Sequence, residues 1–209
     1  MAGLELPIFE LPLVLLPGEK VPLHIFEERY KRMVGTAVEQ EEPFGIVLRD
    51  DDGARSIGCT ARIDEVERLD DGRMNIVVSG EAPFKVLDRF ESPEFPAGEI
   101  ELLAEEEELP VDEDRASAAR EAFAELAERA TGERPDPDEL DSASAYAIAA
   151  RIELPAETKQ QLLEMRDEDE RMTLLANALS AVERAIERAE EAAERASSNG
   201  KVHFPGMPE

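Results

Sequence analysis

The stretch LPIFELPLVLLPGEKVPLHIFEERYKRMV, residues 6–34, carries most of the information about architecture. Residues 4–11 and 20–25 read as strands, with Pro17 and Gly18 between them. From Glu27 to about Gln40 the period changes, and Tyr30, Met33, Val34, Ala37 and Val38 fall on one helical face. His24 therefore sits at the end of a strand and Glu27 at the start of a helix. A histidine close to carboxylates is what a general base or a metal site needs. A metal, however, requires a third and usually a fourth ligand, and the only other histidine, His203, lies in the tail. The expectation is a structural corner with no catalytic residue and no metal. Pro22 limits strand pairing, Phe26 and Tyr30 pack beneath the corner, and Glu27 meets the exposed amides of the helix start. His24 and Arg29 satisfy buried carbonyls or carboxylates.

Working outward, Ile57, Cys59, Ala61 and Ile63 alternate with polar or small residues, as do Met74, Ile76 and Val78. Asp70, Asp71 and Gly72 supply a hairpin turn between the two strands. Further strands are expected at 43–49, near 84–90 and at 97–104, with Ser79 and Gly80 in a hairpin or loop. So many short strands must dispose of their edges, which favours a closed or nearly closed barrel. Cys59 shares its strand face with apolar residues and reads as core rather than as a nucleophile.

After AEEEELP the composition shifts to Ala, Glu, Arg and Leu with a helical period. The glutamates at 105–108 read as a solvated linker. Asp112 opens a helix ending near Gly132, and Asp136, Pro137 and Glu139 form the cap, first turn and capping-box partner of the next. Pro155 opens a third. Asp167 with Glu170 starts the last, which runs to about Ser197. Met172, Leu175, Leu179, Val182 and Ile186 give it a packed stripe that continues as Ala189, Ala193 and Ala196 into an overhang. The chain thus divides into a barrel over 1–108, a helical bundle over 109–198 and a flexible tail over 199–209.

Leu11-Pro12, Leu16-Pro17-Gly18, Pro22-Leu23-His24-Ile25-Phe26-Glu27, Arg29-Tyr30 and Phe44-Gly45 together resemble the N-terminal domain of Lon proteases, also called the Lon substrate-binding domain. The segments IGCTARIDEVERLDDGRMNIVVSGEAPFKV and LPAETKQQLLEMRDEDERMTLLANAL extend the resemblance over almost the whole chain. It implies an α+β fold, a PUA-like β-barrel with one inserted helix followed by a helical bundle ending in a long helix. It also implies a non-enzymatic module that engages unfolded or weakly structured polypeptides, in the company of a protease or chaperone. Leu13, Leu15 and Leu16, and the groove between barrel and helices, are the candidate binding surfaces. The alternative is a small-ligand or enzymatic protein using a pocket at the barrel–helix junction. A phosphate-binding loop needs Gly-Lys followed by Ser or Thr, and the lysines are followed by Val21, Arg32, Val86, Gln160 and Val202. Neither an ATPase nor a serine-lysine peptidase is legible, so the sequence reads as a stand-alone member with no cofactor.

Fifty acidic residues against 23 basic ones give a formal charge of −27. Such a surface repels nucleic-acid phosphates and anionic lipid, which argues against both as partners. No apolar run approaches the ~20 residues of a spanning helix, and the start carries Glu5 and Glu10 in place of a basic leader, so a cytoplasmic location is expected. The alanine stripe of the last helix admits a monomer or a weak homodimer.

Overall fold

The computed structural model describes residues 4–91, 95–104 and 112–199. Strands β1 (Leu4–Leu11) and β2 (Lys20–Ile25) precede helix α1 (Glu28–Gln40). Strands β3 (Phe44–Asp50), β4 (Gly53–Arg68), β5 (Met74–Glu91) and β6 (Pro96–Leu102) follow. β1 runs parallel to β3 and antiparallel to β6. β3 pairs with β4, β4 with β5, and β5 with β6, all antiparallel. These pairings close a ring, so edges are removed by closure as the strand count anticipates. β2 lies outside the ring on Met74–Ser79 of β5, beyond the reach of β6. Pro22 is tolerated there because β2 is an edge strand.

The ring holds its own small core. Leu6, Ile8, Val47, Phe84 and Ile100 pack together with Ala54 and Val86, drawn from all five ring strands and from no helix. Gly45 faces this interior, where a Cβ would lie 2.6 Å from the Phe84 ring. That contact explains the Phe44-Gly45 pair: Phe44 turns outward into the main core and Gly45 leaves room within. The main core covers the other face of the sheet. It joins Phe9, Phe44, Ile46 and Cys59 to Leu15, Leu16, Tyr30 and Met33, and then to Phe123, Ile148, Leu162 and Leu175 of the helical half.

Two strands expected at 74–78 and near 84–90 are one continuous strand, and Ser79 and Gly80 lie within it rather than in a loop. The chain tolerates the glycine there because another backbone crosses at that point: Gly18 N donates to Gly80 O and Gly80 N donates to Glu19 O, at 2.9 and 3.0 Å. The turn at 70–72 forms as expected, with Gly72 at φ +81° and Arg73 donating to Asp71 through backbone and side chain. The Arg73 side chain and amide hold the Asp71 carboxyl down at about 2.

The helical half comprises α2 (Glu113–Thr131), α3 (Pro137–Asp141), α4 (Ala145–Ala149), α5 (Ala156–Glu164) and α6 (Glu168–Asn199). Asp112, Asp136 and Asp167 accept the first amides of α2, α3 and α6, and Gly132 closes α2 at φ +80°. α4 is absent from the sequence reading. Its cap, Ser144, accepting from Ala147 N, was the available signal, but five residues are too few to show a period. Met172, Leu175 and Leu179 are fully buried, Val182 and Ile186 half-buried, and Ala189 and Ala193 exposed. The expected overhang is therefore present, although the Ala196 side chain lies outside the described residues. So do the 105–108 linker and residues 200–209 with His203.

α2 and α6 run parallel, with Asp112 N on Asp169 and Arg129 on Glu190 at opposite ends of the contact. Between these ends Glu183 faces Glu125. Burial raises the Glu183 carboxyl above its ordinary value, and Glu125 and Glu187 add to this against Arg129. A carboxyl raised in the folded state is least costly when protonated, so its penalty appears as pH rises through the folded value. Glu183→Gln is therefore expected to gain about 0.5 kcal/mol at pH 7, a rise in Tm of about 1–2 °C. The gain should vanish below about pH 4. A thermal melt series across pH checks it, and a Tm unchanged at pH 7 would show that the contact is already relieved by solvent.

Candidate functional site: a groove at the strand-to-helix corner

β1 ends as Phe9-Glu10-Leu11 with Pro12 following, and β2 ends at Ile25 before the chain turns through Phe26 and Glu27 into α1. Between these ends, with Arg49 of β3 and Pro96 at the start of β6, a groove of about 580 Å³ opens. Its floor is aromatic. The Phe9 and Tyr30 ring centroids lie 4.1 Å apart, Ile25 is buried beside them, and burial pushes the Tyr30 phenol above its ordinary value. At the rim, Phe26 is 60% exposed and its ring stacks on His24 at 6.2 Å.

The charges in the groove are paired. Arg29 donates to the Glu27 carboxylate at 3.1 Å while its guanidinium lies 4.4 Å from the Tyr30 centroid. Glu10 accepts from Arg49 at 2.6 Å and from Arg89 at 2.5 Å. Each arginine thus contacts a carboxylate, Arg49 and Arg89 sharing Glu10, and the groove presents apolar surface edged by paired ions.

Phe26 does not pack under the corner as expected. The backbone of Glu27 is extended (φ −76°, ψ 134°), and the chain enters α1 with Tyr30 turned inward and Phe26 turned out. Glu27 occupies the N-cap position without a side-chain cap bond, because its carboxylate is held by Arg29. Among the described residues His24 and Arg29 hydrogen-bond no buried carbonyl or carboxylate either. Asn75 donates its amide to Glu67 at 2.7 Å, so its oxygen accepts from His24 Nδ1, also at 2.7 Å, on an exposed face. His24 Nε2 is left as the acceptor, 3.4 Å from Arg73. The ring is oriented by an amide and an arginine, not by a carboxylate, which is not the arrangement of a general base. Among the described residues no group of three His, Cys, Asp or Glu side chains is placed to hold a metal ion. Cys59 is fully buried, and burial pushes its thiol up to about 12.

Leu15 and Leu16 are 1% and 0% exposed, and Leu13 is half-buried against the same core. The first two have no surface to offer a polypeptide. Pro17 and Gly18 shape their turn, with Gly18 at φ +77° and Glu19 N donating to Leu16 O. At the barrel–helix junction polar contacts join the halves among the described residues. Lys159 pairs with Glu19, and Gln160, 1% exposed, donates to Ile57 O at 3.2 Å. An open groove lies at the corner formed by Pro22–Tyr30, whose expected role is structural alone. Phe9, Glu10, Pro12, Arg49 and Pro96 were not anticipated as its walls. The available signal was alternation in β1, which sends Ile8 into the ring and Phe9 to the opposite face.

Among the described residues no helix is long and apolar enough to cross a membrane. Residues 5–181 match the ATP-dependent protease La (LON) substrate-binding domain family. The Lon protease of Paraburkholderia phytofirmans is 29% identical over 193 residues, covering 83% of this chain and 24% of that protein. For the Lon protease of Anaeromyxobacter dehalogenans the identity is 29% over 199 residues, covering 84% and 23%. The chain thus spans about a quarter of the length of these relatives. The fold is shared with the Lon N-terminal domain protein from Xanthomonas campestris, at a TM-score of 0.66 and 24% identity over 82% of this chain and 96% of that one. The N-terminal domain of Mycobacterium avium complex Lon protease superposes at 0.68, with 22% identity over 84% and 98%. With its barrel, its corner motif and its helical half as far as residue 181 inside the match, the chain belongs to the Lon substrate-binding domain family.

Proposed function

We infer that the protein is a non-catalytic polypeptide-binding module that takes unfolded or weakly structured segments into the corner groove, as an adaptor or regulator in protein quality control. The family match supports a substrate-binding role, and the exposed Phe26 ring supports the location. A phenyl group left 60% in water beside an aromatic floor is the kind of anchor that gains most from being covered. Paired ions at the edges add little desolvation cost when an apolar side chain enters. Partners are segments that expose apolar or aromatic side chains, delivered to or withheld from a Lon-type protease or a chaperone.

Phe26→Ala is expected to weaken binding of a fluorescent, chemically denatured client about tenfold. Melting should stay unaltered, because the side chain is not in either core. Fluorescence anisotropy titration and a parallel thermal melt provide the check. Binding equal to the parent protein would remove the groove from consideration.

A further inference from the structure

The solvent face of β2, β5 and β4 carries a second depression beside the groove, of about 370 Å³, and His24 lines both. Cross-strand register explains its shape. His24, Asn75 and Glu67 stand opposite one another and are joined by hydrogen bonds. One row along, Pro22 and Val77 make an apolar floor that ends at Glu65. Among the described residues no cation pairs with Glu65 or Glu67, and no Lys or Arg lines the depression. Lys20, in the following row, is engaged by Asp64 at 3.1 Å. The result is an apolar trough closed at one end by two carboxylates that, among the described residues, no cation neutralises, Glu67 holding only the Asn75 amide. Those dimensions suit an alkyl chain ending in a cation: the methylenes lie over Pro22 and Val77, and the charged head reaches Glu65 or Glu67.

We propose that this trough is a specificity pocket for a lysine or arginine side chain, so that the preferred occupant is an unstructured polypeptide with a basic residue a short distance from the aromatic or apolar residue held at Phe26. This inference rests on the groove reading and adds charge selectivity to it. Pro22 lies on the edge strand four positions before Phe26, a span of at most about 13 Å at the extended rise, which a bound peptide covers in about four residues. Acidic segments are disfavoured at the same place by like-charge contact.

The test uses labelled Gly/Ser peptides carrying one Phe and, about four positions away in either order, Lys, Gln or Glu. The Lys peptide should bind about fivefold more tightly than the Gln peptide at low salt, with the Glu peptide weakest. The preference should shrink towards unity near 1 M KCl. Glu65→Gln/Glu67→Gln should abolish the Lys preference and leave the Gln peptide unchanged. Glu187→Gln/Glu191→Gln, the same charge change on the far part of α6, should leave the preference intact. Equal loss in both variants would assign the selectivity to overall charge and overturn the pocket. Equal binding of all three peptides that Phe26→Ala still abolishes would overturn the pocket while sustaining the groove. Absence of binding by every peptide would overturn both.

Discussion

Gly80→Ala is expected to destabilise the protein by about 3 kcal/mol, at the upper end of what one added methyl costs in a packed interior. Position 80 sits inside β5, paired with Ala61 of β4 on one side. The backbone of the Leu15–Glu19 turn crosses it on the other. A Cβ there would stand 2.2 Å from Leu16 O and 2.9 Å from the Leu16 carbonyl carbon. Both obstacles are backbone, so no side-chain rotation relieves the contact. Moving the turn would break the Gly18–Gly80 and Gly80–Glu19 hydrogen bonds and lift Leu16, which is 0% exposed, out of the core. Gly35 offers the opposite case. It lies inside α1, a Cβ there meets nothing within 4 Å, and Gly35→Ala should add about 0.5–1 kcal/mol. Urea titration of the two variants measures both. If Gly80→Ala lost less than about 1 kcal/mol, the turn would have to be free to slide on β5.

This glycine also marks the limit of what the sequence disclosed. Period two located every ring strand, because each strand places one face in a core and the other in water or the second core. It could not show that Ser79 and Gly80 continue a strand, since a glycine required for a backbone crossing and a glycine required for a turn look alike. Helix starts were legible at Asp112, Asp136 and Asp167 because capping is a local interaction. α4 was not, because its five residues are held by Ala145, Tyr146, Ile148 and Ala149 packing on distant elements. The corner motif stood out as a motif, but which of its aromatic residues faced solvent depended on the turn into α1. Tyr30 obeys the helical stripe and is buried; Phe26 precedes the helix, so no periodicity governs it. The walls of the groove come from β1, β3 and the start of β6, brought together by the parallel β1–β3 pairing and ring closure. Both are non-local facts that a pattern along the chain does not contain.

Lys159→Met should cost about 3 kcal/mol, although methionine matches the lysine stem in length and shape. Lys159 on α5 pairs with the Glu19 carboxylate, and the two side chains are only 13% and 11% exposed. The other Glu19 oxygen accepts from Leu16 N at 3.0 Å. Removing the ammonium leaves a carboxylate with little water and a single amide donor, which is the expensive half of a broken buried pair. Glu19→Gln alone should cost less, because the freed ammonium can swing on its flexible stem towards solvent. In Glu19→Gln/Lys159→Met the neutral amide still accepts from Leu16 N and the charge is gone, so stability should return to within about 1 kcal/mol of the parent. The pair also ties the Leu16–Glu19 turn to the helical half, next to the Gln160–Ile57 bond and the Arg55–Glu157 pair. In Lys159→Met, hydrogen exchange should therefore quicken in α5 and along Gly80 of β5 before it quickens within the ring. Exchange that rose evenly through both halves would mean that the turn and α5 are fastened by their apolar contacts, with Leu162 and Leu163 holding the helix in place and the ion pair merely occupying the space beside them.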